Sequence, residues 1–154
     1  MIKLKPLLIS LVISLGVGGL SALLTQGSME QYRNLKQPPL SPPGWVFPVV
    51  WTVLFVLMGI AAYLVWMRDS TGRNGALALY GAQLFFNFFW TLIFFNLQNY
   101  ALAFFWLLAL WLLILLCTLR FFKEVPAAGW LMLPYLVWVA FAGYLNAGVW
   151  LLNP

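Results

Sequence analysis

Five long apolar runs, at about 6–25, 46–67, 76–95, 100–119 and 129–152, alternate with polar breaks along this chain. Each run is close to the roughly 20 residues that a helix needs to cross the hydrocarbon core of a bilayer. The pattern therefore predicts an all-α membrane protein: a single transmembrane domain over 1–154, built as a bundle of five transmembrane helices. The first run follows Met-Ile-Lys-Leu-Lys-Pro. It is too long for a typical signal-peptide core and lacks an A-x-A cleavage site, so we read it as a span. The break at 26–44, QGSMEQYRNLKQPPLSPPG, is the one long polar loop. Pro38, Pro39, Pro42 and Pro43 forbid a regular helix there and favour extended or turning backbone. RDSTGRN at 68–74, NLQN at 96–99 and RFFKEVP at 120–126 are the short breaks. No internal repeat is visible, so the inverted-repeat architecture of many transporters finds no support.

Composition agrees with the pattern. The chain is 64% hydrophobic and 7% charged, against about 25% charged in a soluble domain. So few charges exclude an ordinary soluble enzyme, a disordered chain and a nucleic-acid binder. The charges also report topology. Lys3, Lys5, Arg68, Arg73, Arg120 and Lys123 fall on the N-terminal side of the alternating parse, and only Arg33 and Lys36 on the other. The positive-inside rule then puts the N-terminus in the cytoplasm and the C-terminus outside.

Histidine is absent, the only acids are Glu30, Asp69 and Glu124, and Cys117 is the lone cysteine. This inventory offers no metal site, no internal disulfide and no cofactor motif. No Asp, Glu, Lys, Arg or His is placed mid-membrane. Proton-coupled carriers, ion pumps and most acid–base enzymes need one there, so we expect a non-catalytic protein.

Polar side chains in a span turn inward, because lipid cannot satisfy them. In span three Tyr80, Gln83, Asn87 and Trp90 are spaced by three, four and three, on one helical face. In span five Tyr135, Trp138, Ala142, Leu145, Asn146 and Val149 share a face, and in span two Trp51, Phe55, Met58 and Ala62 do so. Amides flanked by rings suit a site that stacks a flat apolar ligand and hydrogen-bonds its edge. The same amides equally suit bonds across to neighbouring helices. Both readings stay open at this point.

Span one carries a small-residue stripe, Ser10, Ser14, Gly18 and Ala22, which we read as a helix-packing surface, as we do Gly143 and Ala147. Span four has almost no polar atoms. It is expected to face lipid or a partner subunit, with Cys117 unreactive. Of nine tryptophans, Trp45, Trp66, Trp130 and Trp150 fit an interfacial belt. Trp51, Trp90, Trp106, Trp111 and Trp138 lie deeper.

Three stretches, KQPPLSPPGWVFPVVWTVLF, QLFFNFFWTLIFF and LPYLVWVAFAGYLNAGVWLLN, resemble in order and spacing the TspO/MBR family of tryptophan-rich sensory and translocator proteins. The resemblance covers essentially the whole chain. It implies five transmembrane helices, a homodimer, and a pocket beneath the loop between helices one and two that takes porphyrins such as protoporphyrin IX, or other hydrophobic small molecules. Positions matching the family's pocket are Trp51, Phe55, Gln83, Asn87, Trp90, Trp138, Ala142, Leu145 and Asn146; Tyr135 joins them by its place on the span-five face. The implied role is tetrapyrrole binding with transport, sensing or regulation. Light- and oxygen-dependent porphyrin degradation and passive passage of hydrophobic ligands are the alternatives. Animal members carry a sterol-recognition pattern late in helix five. Here Ala147 and Leu151 stand where its Tyr and Arg would be, which points to a bacterial-type member in a bacterial cell membrane.

Overall fold

Helix α1 runs from Leu4 to Thr25 and passes through a single 3₁₀ turn at Gln26–Ser28 into the short helix α2, Met29–Arg33. The remaining helices are α3 (Val46–Trp66), α4 (Arg73–Thr91, continued as a π-helical turn over Leu92–Asn96), α5 (Tyr100–Glu124) and α6 (Pro126–Leu152). This is the architecture of a computed structural model that describes residues 2–154. Five helical segments are long and apolar enough to span a membrane: Leu4–Arg33, Val46–Trp66, Arg73–Asn96, Tyr100–Glu124 and Pro126–Leu152.

Two boundaries differ from expectation for identifiable reasons. The first eight residues of the long loop, 26–33, are helical, because the helix-breaking prolines begin only at Pro38. Helix α5 continues through RFFKE to Glu124, five residues beyond the expected end. Charged residues mark where a helix leaves lipid, not where it stops. The stop is set by Pro126, which disfavours helical backbone at the residue before it. Val125 is extended (φ −144°, ψ 110°), and Pro126 opens α6, where its missing N–H is no loss.

Helix α1 packs on α3 through hydroxyls. Ser10 Oγ donates to the Gly59 carbonyl at 2.7 Å and Ser14 Oγ to the Phe55 carbonyl at 2.8 Å. The expected stripe holds only in part: Ser10 and Ser14 are buried, but Ala22 is exposed, and Ser21 and Thr25 are buried in its place. Four-residue steps overrun a helix of 3.6 residues per turn by about 40° each, so the contact line slips back by one residue.

Helix α5 is two-faced. Leu107, Leu110, Ile114, Cys117 and Phe121 are buried, while Leu102, Phe105, Leu108, Leu112, Leu116 and Leu119 point outward. The expected lipid-facing helix is therefore only half so. Two of its indoles tie neighbouring helices together: Trp106 Nε1 donates to the Phe86 carbonyl at 2.8 Å and Trp111 Nε1 to the Leu136 carbonyl at 3.1 Å.

The segment between α2 and α3 is fastened over one end of the bundle. Lys36 N–H donates to Asn153 Oδ1 at 3.1 Å, and Asn153 Nδ2 returns a bond to the Lys36 carbonyl at 2.9 Å. The Tyr144 hydroxyl donates to the Pro39 carbonyl at 2.6 Å. Pro38 lies so close to Gly148 that a Cβ there would sit 2.4 Å from its ring. On the α4 side, Ser28 Oγ donates to Asn96 Oδ1 at 2.7 Å, and Asn96 Nδ2 donates to the Leu24 carbonyl at 3.0 Å.

Candidate functional site

The inward face of α4 carries the polar centre of the bundle. Tyr80, Gln83, Asn87 and Trp90 are all buried, with 6%, 0%, 2% and 8% of their surface exposed. Helix α6 faces them with Tyr135, Ala142, Leu145 and Asn146, also buried. Asn87 Nδ2 donates to the Tyr135 hydroxyl at 2.7 Å, and that hydroxyl donates to Gln83 Oε1 at 2.5 Å. Gln83 Nε2 is left with the thioether of Met58 on α3, at 3.7 Å. One turn further along, Trp90 Nε1 donates to Asn146 Oδ1 at 3.0 Å, and Asn146 Nδ2 donates to the Tyr100 carbonyl at 2.9 Å.

All three amides are thus engaged by neighbouring helices in this structure, the second of the two uses that their pattern allows. The reason is physical. Hydrocarbon offers no partner to an amide, so each finds one across a helix interface. This network joins α3, α4, α5 and α6 and fixes the inward rotation of the rings beside it.

Those rings line the inner faces of α3, α4 and α6 beside the network. Trp51 is half-buried, 5.7 Å from Phe55 and edge-on to Tyr135 at 6.3 Å. Trp138 is half-buried, edge-on to Phe47 at 6.0 Å and 5.5 Å from Phe141. Trp90 stacks on Phe94 at 5.2 Å. Tyr32, from α2, lies edge-on to Phe47, Phe94 and Phe95 at 6.4, 5.8 and 5.2 Å.

The loop and the bundle therefore meet ring to ring. One polar atom in this wall is unanswered: Trp138 Nε1 is buried and has no hydrogen-bond partner among the described residues. Tyr80 Oη, deeper in the bundle, is in the same position. The cations expected on this side, Arg33 and Lys36, are exposed on α2 and on the loop.

The ten residues picked from the sequence therefore fall on three inner faces, but in two layers. Gln83, Asn87, Tyr135, Trp90 and Asn146 form the hydrogen-bonded layer, and Trp51, Phe55 and Trp138 belong to the aromatic one. Ala142 and Leu145 lie between Trp138 and Asn146 along the buried face of α6. Sequence reasoning missed Tyr32, Phe47 and Phe94. Tyr32 sits in a polar stretch without periodicity. Phe47 carried a usable signal, since it stands one turn before Trp51 on the inner face of α3. Two depressions lie on the outside of the bundle. One, of about 520 Å³, runs along α1 from Leu4 to Ile13. Another, of about 320 Å³, lies between α5 and α6 at Trp111 and Gly143.

Residues 9–151 match the TspO/MBR family. The chain is 36% identical over 152 residues to the tryptophan-rich protein TspO of Chlorobaculum tepidum, covering 96% of this chain and 94% of that protein. It is 41% identical over 124 residues to the tryptophan-rich sensory protein of Cereibacter sphaeroides, covering 80% and 77%. It is 35% identical over 125 residues to the human translocator protein, covering 79% and 74%. With five apolar spans and a family match that takes in all five, the chain is an integral multi-pass membrane protein that belongs to the TspO/MBR family.

Proposed function

We propose that this protein binds a tetrapyrrole such as protoporphyrin IX in the aromatic layer beneath the loop, and that this binding serves sensing, regulation or movement of the pigment. The observation that carries the reading is the Trp138 indole. It is a large ring on an inner face with a buried N–H that no group among the described residues accepts, beside Phe47 and in the same wall as Trp51. A buried indole normally finds a partner. A pyrrole-ring guest offers a flat face for stacking and a π surface to which an indole N–H can donate. Arg33 and Lys36 stand where its propionates would meet water. The contacts of Tyr32 and Phe47 close the layer, so a guest enters by displacing those rings and the loop that carries them. The ion-free interior gives such a guest apolar contact without charge desolvation.

Titration of the detergent-solubilised protein with protoporphyrin IX tests this directly. Trp138→Ala removes a stacking face worth about 0.5–1.5 kcal/mol beyond its buried area, so affinity should fall roughly tenfold. Trp138→Phe should recover part of the loss. Leu112→Ala, on the outward face of α5, should bind as the parent does. Parent-like affinity in both Trp138→Ala and Trp51→Ala would place the ligand elsewhere.

The same reading puts the protein in a bacterial cell membrane as a homodimer, with its N-terminus in the cytoplasm. Orientation follows from the excess of Lys and Arg on one side. In a Cys117→Ala background, an impermeant maleimide should label Gln98→Cys in intact cells and Thr71→Cys only after lysis. The opposite result would invert the topology.

A further inference from the structure

The segment that joins α2 to α3 holds an apolar side chain where its own fold gains nothing from one. Leu40 has a left-handed backbone (φ 72°) and is 82% exposed. A bulky residue is strained in that region, which glycine or asparagine occupies easily. The turn is imposed from both sides. Ser41 N–H and Ser41 Oγ both donate to the Pro38 carbonyl, at 3.3 and 2.7 Å, and Tyr144 holds the Pro39 carbonyl. The result is a leucine presented outward on a fixed, hydrogen-bonded mount.

Its surroundings indicate what covers it. Tyr144, which grips the residue before Leu40, belongs to the outward surface of α6 together with Leu151, 42% and 72% exposed. Five residues on, Trp45 is 69% exposed and already has helical backbone (φ −67°, ψ −19°) at the start of α3. Trp45, Val49 and Val53 follow one another at four-residue steps, and all three are exposed. Leu40 thus lies beside the outward apolar stripe of α6, at the level of Tyr144 and about two turns short of Leu151, and Trp45 extends the outward stripe of α3 by about one turn. Arg33 and Lys36, exposed on the same segment and its helix, supply charges at the height of lipid phosphates.

We propose that Leu40 and Trp45 insert into the headgroup–acyl boundary of the leaflet on the Arg33/Lys36 side, so that residues 38–45 form a membrane-anchored cover over the bundle. Tryptophan prefers that boundary, and a leucine buried there regains the transfer free energy that water exposure forfeits. The cover is then held by two independent attachments: the hydrogen bonds to Tyr144 and Asn153, and the lipid. Movement of this cover requires Leu40 to leave the bilayer, which ties the opening of this end of the bundle to lipid packing.

The test uses the full chain in phosphatidylcholine vesicles, in a Cys117→Ala background, with an environment-sensitive fluorophore at Leu40→Cys or Trp45→Cys. Val49→Cys serves as the lipid-facing reference and Asn34→Cys as the water-facing one. Dibrominated phosphatidylcholine should quench positions 40 and 45 at least half as strongly as position 49, and aqueous iodide should quench them several-fold less than position 34. Positions 40 and 45 behaving like position 34 would overturn the proposal. The unsubstituted protein gives a second readout. By NMR, a lipid-borne nitroxide should broaden the Leu40 amide more than a soluble gadolinium chelate does, and the reverse order would overturn the proposal independently of any labelled variant.

Discussion

Replacement of Gly59 by valine is expected to cost about 3 kcal/mol of bundle stability, the upper end of what overpacking a tight contact does. A Cβ at this position would lie 2.8 Å from both Leu11 Cδ2 and Ser14 Oγ, and 3.2 Å from the Leu11 Cα. A side-chain methyl can swing aside, but a Cα cannot, so α1 has to move away from α3. That movement also stretches the bonds from Ser10 to the Gly59 carbonyl and from Ser14 to the Phe55 carbonyl. Interhelical bonds of this kind are worth about 0.6 kcal/mol each, and up to about 1.7. Equilibrium unfolding in mixed detergent–SDS micelles, followed by far-ultraviolet circular dichroism, measures the loss. Gly81→Val is the control, because nothing lies within 4 Å of a Cβ built at Gly81. A difference between the two variants below about 0.5 kcal/mol, the scale of ordinary surface substitutions, would show that the α1–α3 contact is not the tight joint described here.

The second large effect is expected from Asn146→Leu, at about 2 kcal/mol. This side chain serves two helices at once: it accepts from Trp90 Nε1 and donates to the Tyr100 carbonyl. Leucine is similar in size, so packing changes little, but the buried Trp90 N–H loses its partner and the half-buried Tyr100 carbonyl loses a donor. The milder costs found for interhelical bonds in membranes keep the figure from rising further. A double-mutant cycle isolates the cause. Trp90→Phe removes the indole N–H that Asn146→Leu would strand, so the double variant should be less damaged than the sum of the two, by about 1 kcal/mol of coupling. Additive losses would mean that the Trp90–Asn146 bond carries no stability of its own. Asn146→Leu and Trp138→Ala thereby separate two jobs. The first weakens the bundle whether or not ligand is present. The second leaves the hydrogen-bonded layer intact and changes affinity for the flat guest.

These expectations divide along the line between local and distant interactions. That Gln83, Asn87 and Asn146 turn inward is legible from helical spacing and from the absence of hydrogen-bond partners in lipid. Which atom answers which is not. Gln83 and Asn87 lie a turn apart on α4, and what makes them one unit is the Tyr135 hydroxyl 48 to 52 residues away. Helix α5 shows the same limit. Its uniform hydropathy gives no phase, so the buried stripe through Leu110, Ile114 and Cys117 is set by where α4 and α6 lie, not by anything in its own composition. In α1 the small-residue line is visible in the sequence, but the carbonyls that Ser10 and Ser14 meet, those of Gly59 and Phe55, lie 49 and 41 residues away.

The sequence alone determined the number of spans, the end of the bundle that carries most of the positive charge, and the inward faces of α3, α4 and α6. All three follow from the exclusion of unsatisfied backbone and charge from hydrocarbon, which acts on each segment independently. Tertiary structure decided the pairing of the polar atoms, the closure of the aromatic layer by Tyr32 and Phe47, and the outward mount of Leu40. Those features depend on the meeting of residues far apart in the chain, whose geometry is set jointly by every helix in the bundle.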